Sequence, residues 1–170
     1  MERSTAVRPS LIPPKIVPSF ELLFRPSINL ISVVRCFVAD FYATVVAEVD
    51  AAQRLALATH ELLENASKYS SDGDVALFVE CDTSSGAVAV RTLNRASAQQ
   101  IAKVEQTFAE MLRAPDAAAY YLEAMRRTAT RTTGSGGLGL ARIWAESEMP
   151  LRLSVEGDRV EIHALGKIAG

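Results

Sequence analysis

Residues 60–70 read HELLENASKYS, and residues 134–140 read GSGGLGL ahead of a helix-like ARIWAESE. The first stretch carries a carboxylate, a carboxamide and an ammonium at Glu61, Asn65 and Lys68, spaced i, i+4 and i+7. At about 100° per residue the three share one face of a helix. A Glu can take a proton from water or a hydroxyl. An Asn carbonyl oxygen can ligate Mg²⁺, which keeps few protein ligands beside phosphate oxygens, and a Lys neutralises phosphate as a point charge. The second stretch gathers Gly134, Gly136, Gly137 and Gly139, from only 9 glycines in the chain. Glycine removes the Cβ that would keep backbone N–H groups from an anion. The helix that follows, with Leu140, Ile143 and Trp144 as its apolar positions, aims free N–H groups and the positive end of its dipole at the same place. A magnesium ligand and a phosphate cradle together amount to nucleotide chemistry. Two plainer readings compete with this one. Glu61, Asn65 and Lys68 could be a solvated face with some Glu–Lys attraction, and the glycines a linker.

The elements that must position these residues follow from periodicity. Residues 16–24 (IVPSFELLF) read as a first strand with Pro18 at an edge or bend, and 28–47 as an unusually apolar amphipathic helix. Asp50 and Gln53 look like a capping box opening a helix over 50–70, on which Leu55, Ala58, Leu62, Leu63, Ala66 and Tyr69 form the apolar stripe. VALFVEC and AVAVRTLN, joined by DTSSG, predict a hairpin, and 151–156 with 159–165 around Gly157-Asp158 predict a second. Between 94 and 134 lies a helical insert. Ser97 and Gln100 resemble a capping box, Ile101, Val104, Phe108, Met111 and Leu112 keep helical spacing, Pro115 interrupts, and 116–129 reads as another helix. Arg126, Arg127 and Arg131 approach the glycine loop in sequence. They read either as phosphate- or partner-directed charges or as ordinary solvated ones. Pro150 closes the helix after the glycines.

In this order the two stretches resemble the GHKL (histidine kinase-like) ATPase superfamily, which includes histidine-kinase ATP domains and anti-sigma-factor serine kinases. HELLENASKYS looks like the N box of that family and GSGGLGLARIWAE like its second glycine box. The resemblance implies an α/β (α+β) two-layer sandwich, a mixed β-sheet covered on one face by helices. It implies ATP and Mg²⁺ as ligands, with Asn65 on the metal, Glu61 as general base or orienting group and Lys68 near the phosphates. Backbone around Gly134, Gly136, Gly137, Leu138 and Gly139 would cradle those phosphates. The family's Asp-x-Gly-x-Gly box, whose Asp accepts a hydrogen bond from the adenine amino group, is missing. VAVRTLN runs into RASAQQ without a glycine, and Asn94 stands in the Asp position. A carboxamide oxygen accepts that bond more weakly than a carboxylate. In this departure the chain resembles bacterial stand-alone regulators of the SiaB type and similar cyanobacterial regulators. The implied function is an ATP-dependent protein serine/threonine kinase of the partner-switching type, acting on a small antagonist-like (STAS-like) protein; the resemblance also implies a homodimer. The alternative is a degenerate binding module that sequesters its partner with little or no nucleotide.

Bulk properties fit one domain over 16–170, with the insert at about 95–133. At 170 residues, 49% hydrophobic and 22% charged, the chain can bury a core, and a net charge of -2 gives no reason to expect nucleic acid or an anionic membrane as partner. Residues 1–15, with Pro9, Pro13 and Pro14 and no long apolar run, predict a flexible arm and not a signal peptide, so the expected compartment is the cytoplasm. Arg35 and Asp40 interrupt the apolar run after Ile28, which favours a core or interface helix over a membrane span. Cys36 and Cys81 are expected as buried free thiols. With only His60 and His163 and no neighbouring cysteine, a zinc-type ligand cluster is not expected.

Overall fold

The computed structural model describes residues 18–46, 48–130 and 137–167. The expected arm at 1–15, the glycines Gly134 and Gly136, and Arg131 lie outside these residues. Strand β1 (Ser19–Phe24) leads to helix α1 (Ile28–Val46) and, across a two-residue link, to α2 (Val49–Tyr69). Strands β2 (Val75–Asp82) and β3 (Ala87–Arg95) form the first predicted hairpin, with Gly86 at φ 67° in its turn. The insert is α3 (Ala98–Arg113) and α4 (Ala117–Thr130). Helix α5 (Leu138–Glu146) and the second predicted hairpin, β4 (Leu151–Glu156) with β5 (Arg159–Lys167), complete the order.

The sheet order is β1-β2-β3-β5-β4. Alternation puts Val75, Leu77, Val79, Val90, Thr92, Ile162 and Ala164 on one buried face, beneath α2 and its neighbours. The opposite face carries charge: Arg91 lies 3.8 Å from the Phe78 ring centroid and 2.6 Å from Glu161. The two-layer sandwich is therefore present, but every strand pair is antiparallel, so the expected mixed sheet is corrected. The cause is connectivity. Two helices between β1 and β2 return the chain to the end of the sheet where it left, so β2 enters antiparallel. Strand β4 does run in the direction of β3, but β5 is inserted between them.

Helix starts divide the same way. Ser97 and Gln100 form the reciprocal capping box that their spacing predicts. Asp50 and Gln53 do not, because α2 begins one residue earlier with Glu48 as a cap lacking a side-chain bond. Asp50 then sits inside the first turn, where a carboxylate favours the helix dipole. Helix α1 buries Ile31, Val34, Val38 and Tyr42 against the core while Leu30, Val33 and Phe37 stay exposed. By length and composition alone it is apolar enough to cross a membrane, with mean hydropathy 1.5. Both cysteines are free, as expected, but Cys36 is exposed on α1 and only Cys81 is buried.

The insert is braced by Arg127 of α4, which reaches Glu110 of α3 at 2.8 Å and Glu123 at 3.4 Å. The hydrogen bond from Arg127 holds the Glu110 carboxyl below its ordinary range. A carboxylate depressed on folding stabilises the fold above its unfolded pKa, and that contribution disappears as pH falls through the folded value. Glu110→Gln should therefore cost about 0.5 kcal/mol at neutral pH, a modest figure for a part-exposed pair. In urea melts across an acid series, the two proteins should converge at low pH; a gap that persists there contradicts the pairing.

Candidate functional site

Helix α2 presents its polar trio as the spacing predicts, and its apolar stripe is buried except for half-buried Tyr69. Opposite stands the start of α5. Gly137 adopts φ +110° as its N-cap, and its carbonyl accepts the Ala141 N–H at 2.9 Å. This left-handed backbone disfavours any side chain, and a Cβ there would lie 3.2 Å from Thr107 Cγ2. Gly137 has no side chain with which to cap α5, and the first N–H groups of a helix have no partner within it.

Between α2 and α5 lies a cavity of ≈ 560 Å³. Glu61, Asn65 and Lys68 line it from one side and Gly137, Leu138 and Gly139 from the other. Ile28 and Ile31 of α1, Tyr121 of α4 and Arg142 of α5 complete much of its wall. Six of the predicted site residues are thus brought together. Asn94 is not: it is buried on β3, donates from Nδ2 to the Arg95 carbonyl at 3.1 Å, and does not line the cavity. No glycine turn follows it. Ala96 N–H donates to the Asp158 carbonyl at 2.8 Å, and Ser97 starts α3 directly. Helix α3 then leans over the site, with Lys103 Nζ 5.5 Å and Lys68 Nζ 5.4 Å from the Tyr69 ring centroid.

The tightest point is at Gly139. A Cβ there would sit 2.6 Å from Glu61 Oε2. Glu61 is only 9% exposed, and burying a carboxylate without a partner is costly. Its partner is Arg142, whose Nη1 donates to Glu61 Oε1 at 2.9 Å. The Arg142 Nε donates to Glu146 Oε2 at 2.9 Å, and the Tyr121 hydroxyl donates to Glu146 Oε1 at 2.8 Å. Burial alone would raise the Glu146 carboxyl, but the Tyr121 hydroxyl and the Arg142 guanidinium outweigh it and hold it low. Hydrogen bonding to Glu146 pushes the Tyr121 phenol up.

Sequence reasoning overlooked Arg142 and Glu146, and read Tyr121, with Tyr120 and Met125, as core or a docking patch and not as part of the site. The signal was present: Gly139, Arg142 and Glu146 stand at i, i+3 and i+7, one face of α5, the face that meets Glu61. Tyr120 is core and Met125 is exposed, whereas Tyr121 belongs to the cavity. Arg126 and Arg127 do not line the cavity. His60 is half-buried and lies 3.3 Å from Glu64. Among the described residues there is no cluster of three or more His, Cys, Asp or Glu able to hold a metal. An ion at Asn65 would therefore draw most of its ligands from a bound phosphate and water, as Mg²⁺ does.

No family model matches the chain, and no curated protein matches it. Among solved structures, it is similar to a chain of the SiaB–SiaC complex from Pseudomonas aeruginosa, at 16% identity and TM-score 0.67, covering 88% of this chain and 89% of that one. At that identity the likeness is one of fold.

The close approach at Gly139 can be tested by a mutant cycle. Alanine is favoured over glycine by about 1 kcal/mol inside a helix. Even so, Gly139→Ala should destabilise the protein by about 1–2 kcal/mol, since its methyl must displace a paired carboxylate. In a Glu61→Ala background that loss should vanish or reverse in denaturant unfolding. Simple additivity of the two changes would mean that the contact carries no energy.

Proposed function

We propose that the cavity between α2 and α5 binds a magnesium nucleotide and that the protein is a partner-switching regulator with ATP-dependent serine/threonine kinase activity. The observation that carries the reading is that Asn65 and the Gly137–Gly139 turn line the same ≈ 560 Å³ cavity. The donor set would suit that group, since the lining sets the Asn65 carboxamide and the Lys68 ammonium across from the backbone of Gly137–Gly139. In this reading the Asn65 carboxamide oxygen holds Mg²⁺, Lys68 and the first amides of α5 take the phosphates, and Glu61 orients or deprotonates the attacking hydroxyl. The bound ion neutralises phosphate charge. That matters in a cavity lined by Glu61 and Glu64 against Lys68 and Arg142, four charges that cancel formally. Phosphoryl transfer asks chiefly for such positioning and charge compensation.

The partner in this reading is a small antagonist-type, STAS-like protein. The similarity to a chain of the SiaB–SiaC complex supports a protein partner, because that structure is itself a complex. The exposed apolar residues Leu30, Val33 and Phe37 of α1 would suit a second copy, as the family resemblance implies. A second reading keeps its own support. Asn94 lies away from the cavity and Glu61 is held in an ion pair, as in a pocket that sequesters a partner without turnover.

Calorimetry with Mg-ATP separates the two. The kinase reading expects sub-millimolar binding that weakens by at least about tenfold in Asn65→Ala. It also expects transfer of the labelled γ-phosphate to an antagonist-type protein, strongly slowed in Glu61→Ala. Silence at high nucleotide leaves the binding module. Transfer at the wild-type rate in Glu61→Ala removes the role given to Glu61.

A further inference from the structure

We propose that Arg142 is a positioning residue for Glu61, and that the chain Tyr121–Glu146–Arg142–Glu61 couples helix α4 of the insert to the α2 face of the cavity. This inference deepens the proposed nucleotide site and rests on that reading for its consequence in turnover, though not for its geometry.

Three consecutive hydrogen bonds carry it: 2.8 Å from the Tyr121 hydroxyl to Glu146, 2.9 Å from Arg142 to Glu146, and 2.9 Å from Arg142 to Glu61. They run from α4 through α5, the next element in the chain, to α2, far earlier in sequence. Arg142 suits the middle place because its guanidinium is a planar fork that can serve two carboxylates at once, which a lysine cannot do with the same geometry. The two ends differ in burial. The Glu61 side chain is 10% exposed and the Glu146 side chain 38%. Solvent can therefore replace a lost partner of Glu146 far more readily than one of Glu61. On the other side Gly139 leaves the carboxylate no room to retreat toward α5. Arg142, bonded to the other oxygen, holds the carboxylate in that place.

The arrangement has a consequence for regulation. Tyr121 is the member of the chain that belongs to the insert, and α4 packs on α5. A partner that pulled α4 away would remove the Tyr121 bond, loosen Glu146, and release Arg142 from one of its two anchors. The site would feel docking at α4 without any contact between partner and nucleotide.

The test uses Glu146→Gln, which keeps the shape of a residue outside the cavity lining and removes its charge. Carbon-13 NMR of the Glu61 carboxyl in the full chain reports directly. The resonance should shift in Glu146→Gln and shift less, in the same direction, in Tyr121→Phe, while thermal unfolding of both variants stays close to wild type. With Mg-ATP, Glu146→Gln should leave affinity nearly unchanged and lower single-turnover phosphate transfer by about tenfold, the signature of a misplaced group and not of lost binding. A Glu61 resonance indifferent to both variants overturns the inference. A resonance that moves in a protein that binds no Mg-ATP upholds the positioning and overturns the nucleotide reading instead. Equal loss of affinity and rate would make Glu146 a binding determinant and would also overturn the inference.

Discussion

A carboxylate withdrawn from water has to be met by something, and around Glu61 that requirement organises the site. One oxygen is met by Arg142, and the other lies against a helix that can come so near only because residue 139 has no side chain. The distance between α2 and α5 is set there. So is the orientation of the α5 N-terminus, because Arg142 and Gly139 are on the same turn-and-a-half of that helix. The cavity is the space left once this contact is made. Its polar walls then come from residues whose backbones are already fixed by packing on the sheet.

Much of this was legible beforehand. Among the described residues, all ten elements appear where alternation, helical spacing and turn residues put them, because each depends on local pattern and on one buried face. The polar trio on α2 and its neighbouring apolar stripe were readable for the same reason. What could not be read were relations between distant segments. The sheet is antiparallel throughout because of how many helices separate β1 from β2 and because β5 is inserted beside β3. Helix α2 starts at Val49 with Glu48 as its N-cap and without its expected box. The Arg142 fork joins α5 to α2, and its partner Glu61 lies 81 positions away in sequence.

The departure at the end of β3 has a structural sequel. Where a glycine turn was expected to be lost, the strand runs on to Arg95 and hands over to a properly capped helix. The insert is thereby tied to the sheet at its root, by Ala96 to Asp158, and to itself by Arg127. Lys103 arrives over Tyr69 from this helix, so the insert sets a cation beside a residue of the cavity wall, although Arg126 and Arg127 do not line the cavity. The unpartnered Tyr69 hydroxyl is buried at this junction of α2 and α3.

The missing side chain at position 139 also bears on how related sequences can diverge. A methyl group there collides with the Glu61 carboxylate, so changes at 139 and changes at 61 are not independent. Two positions in separate motifs are thus coupled through one contact, and enlarging residue 139 strains the junction between the two helices.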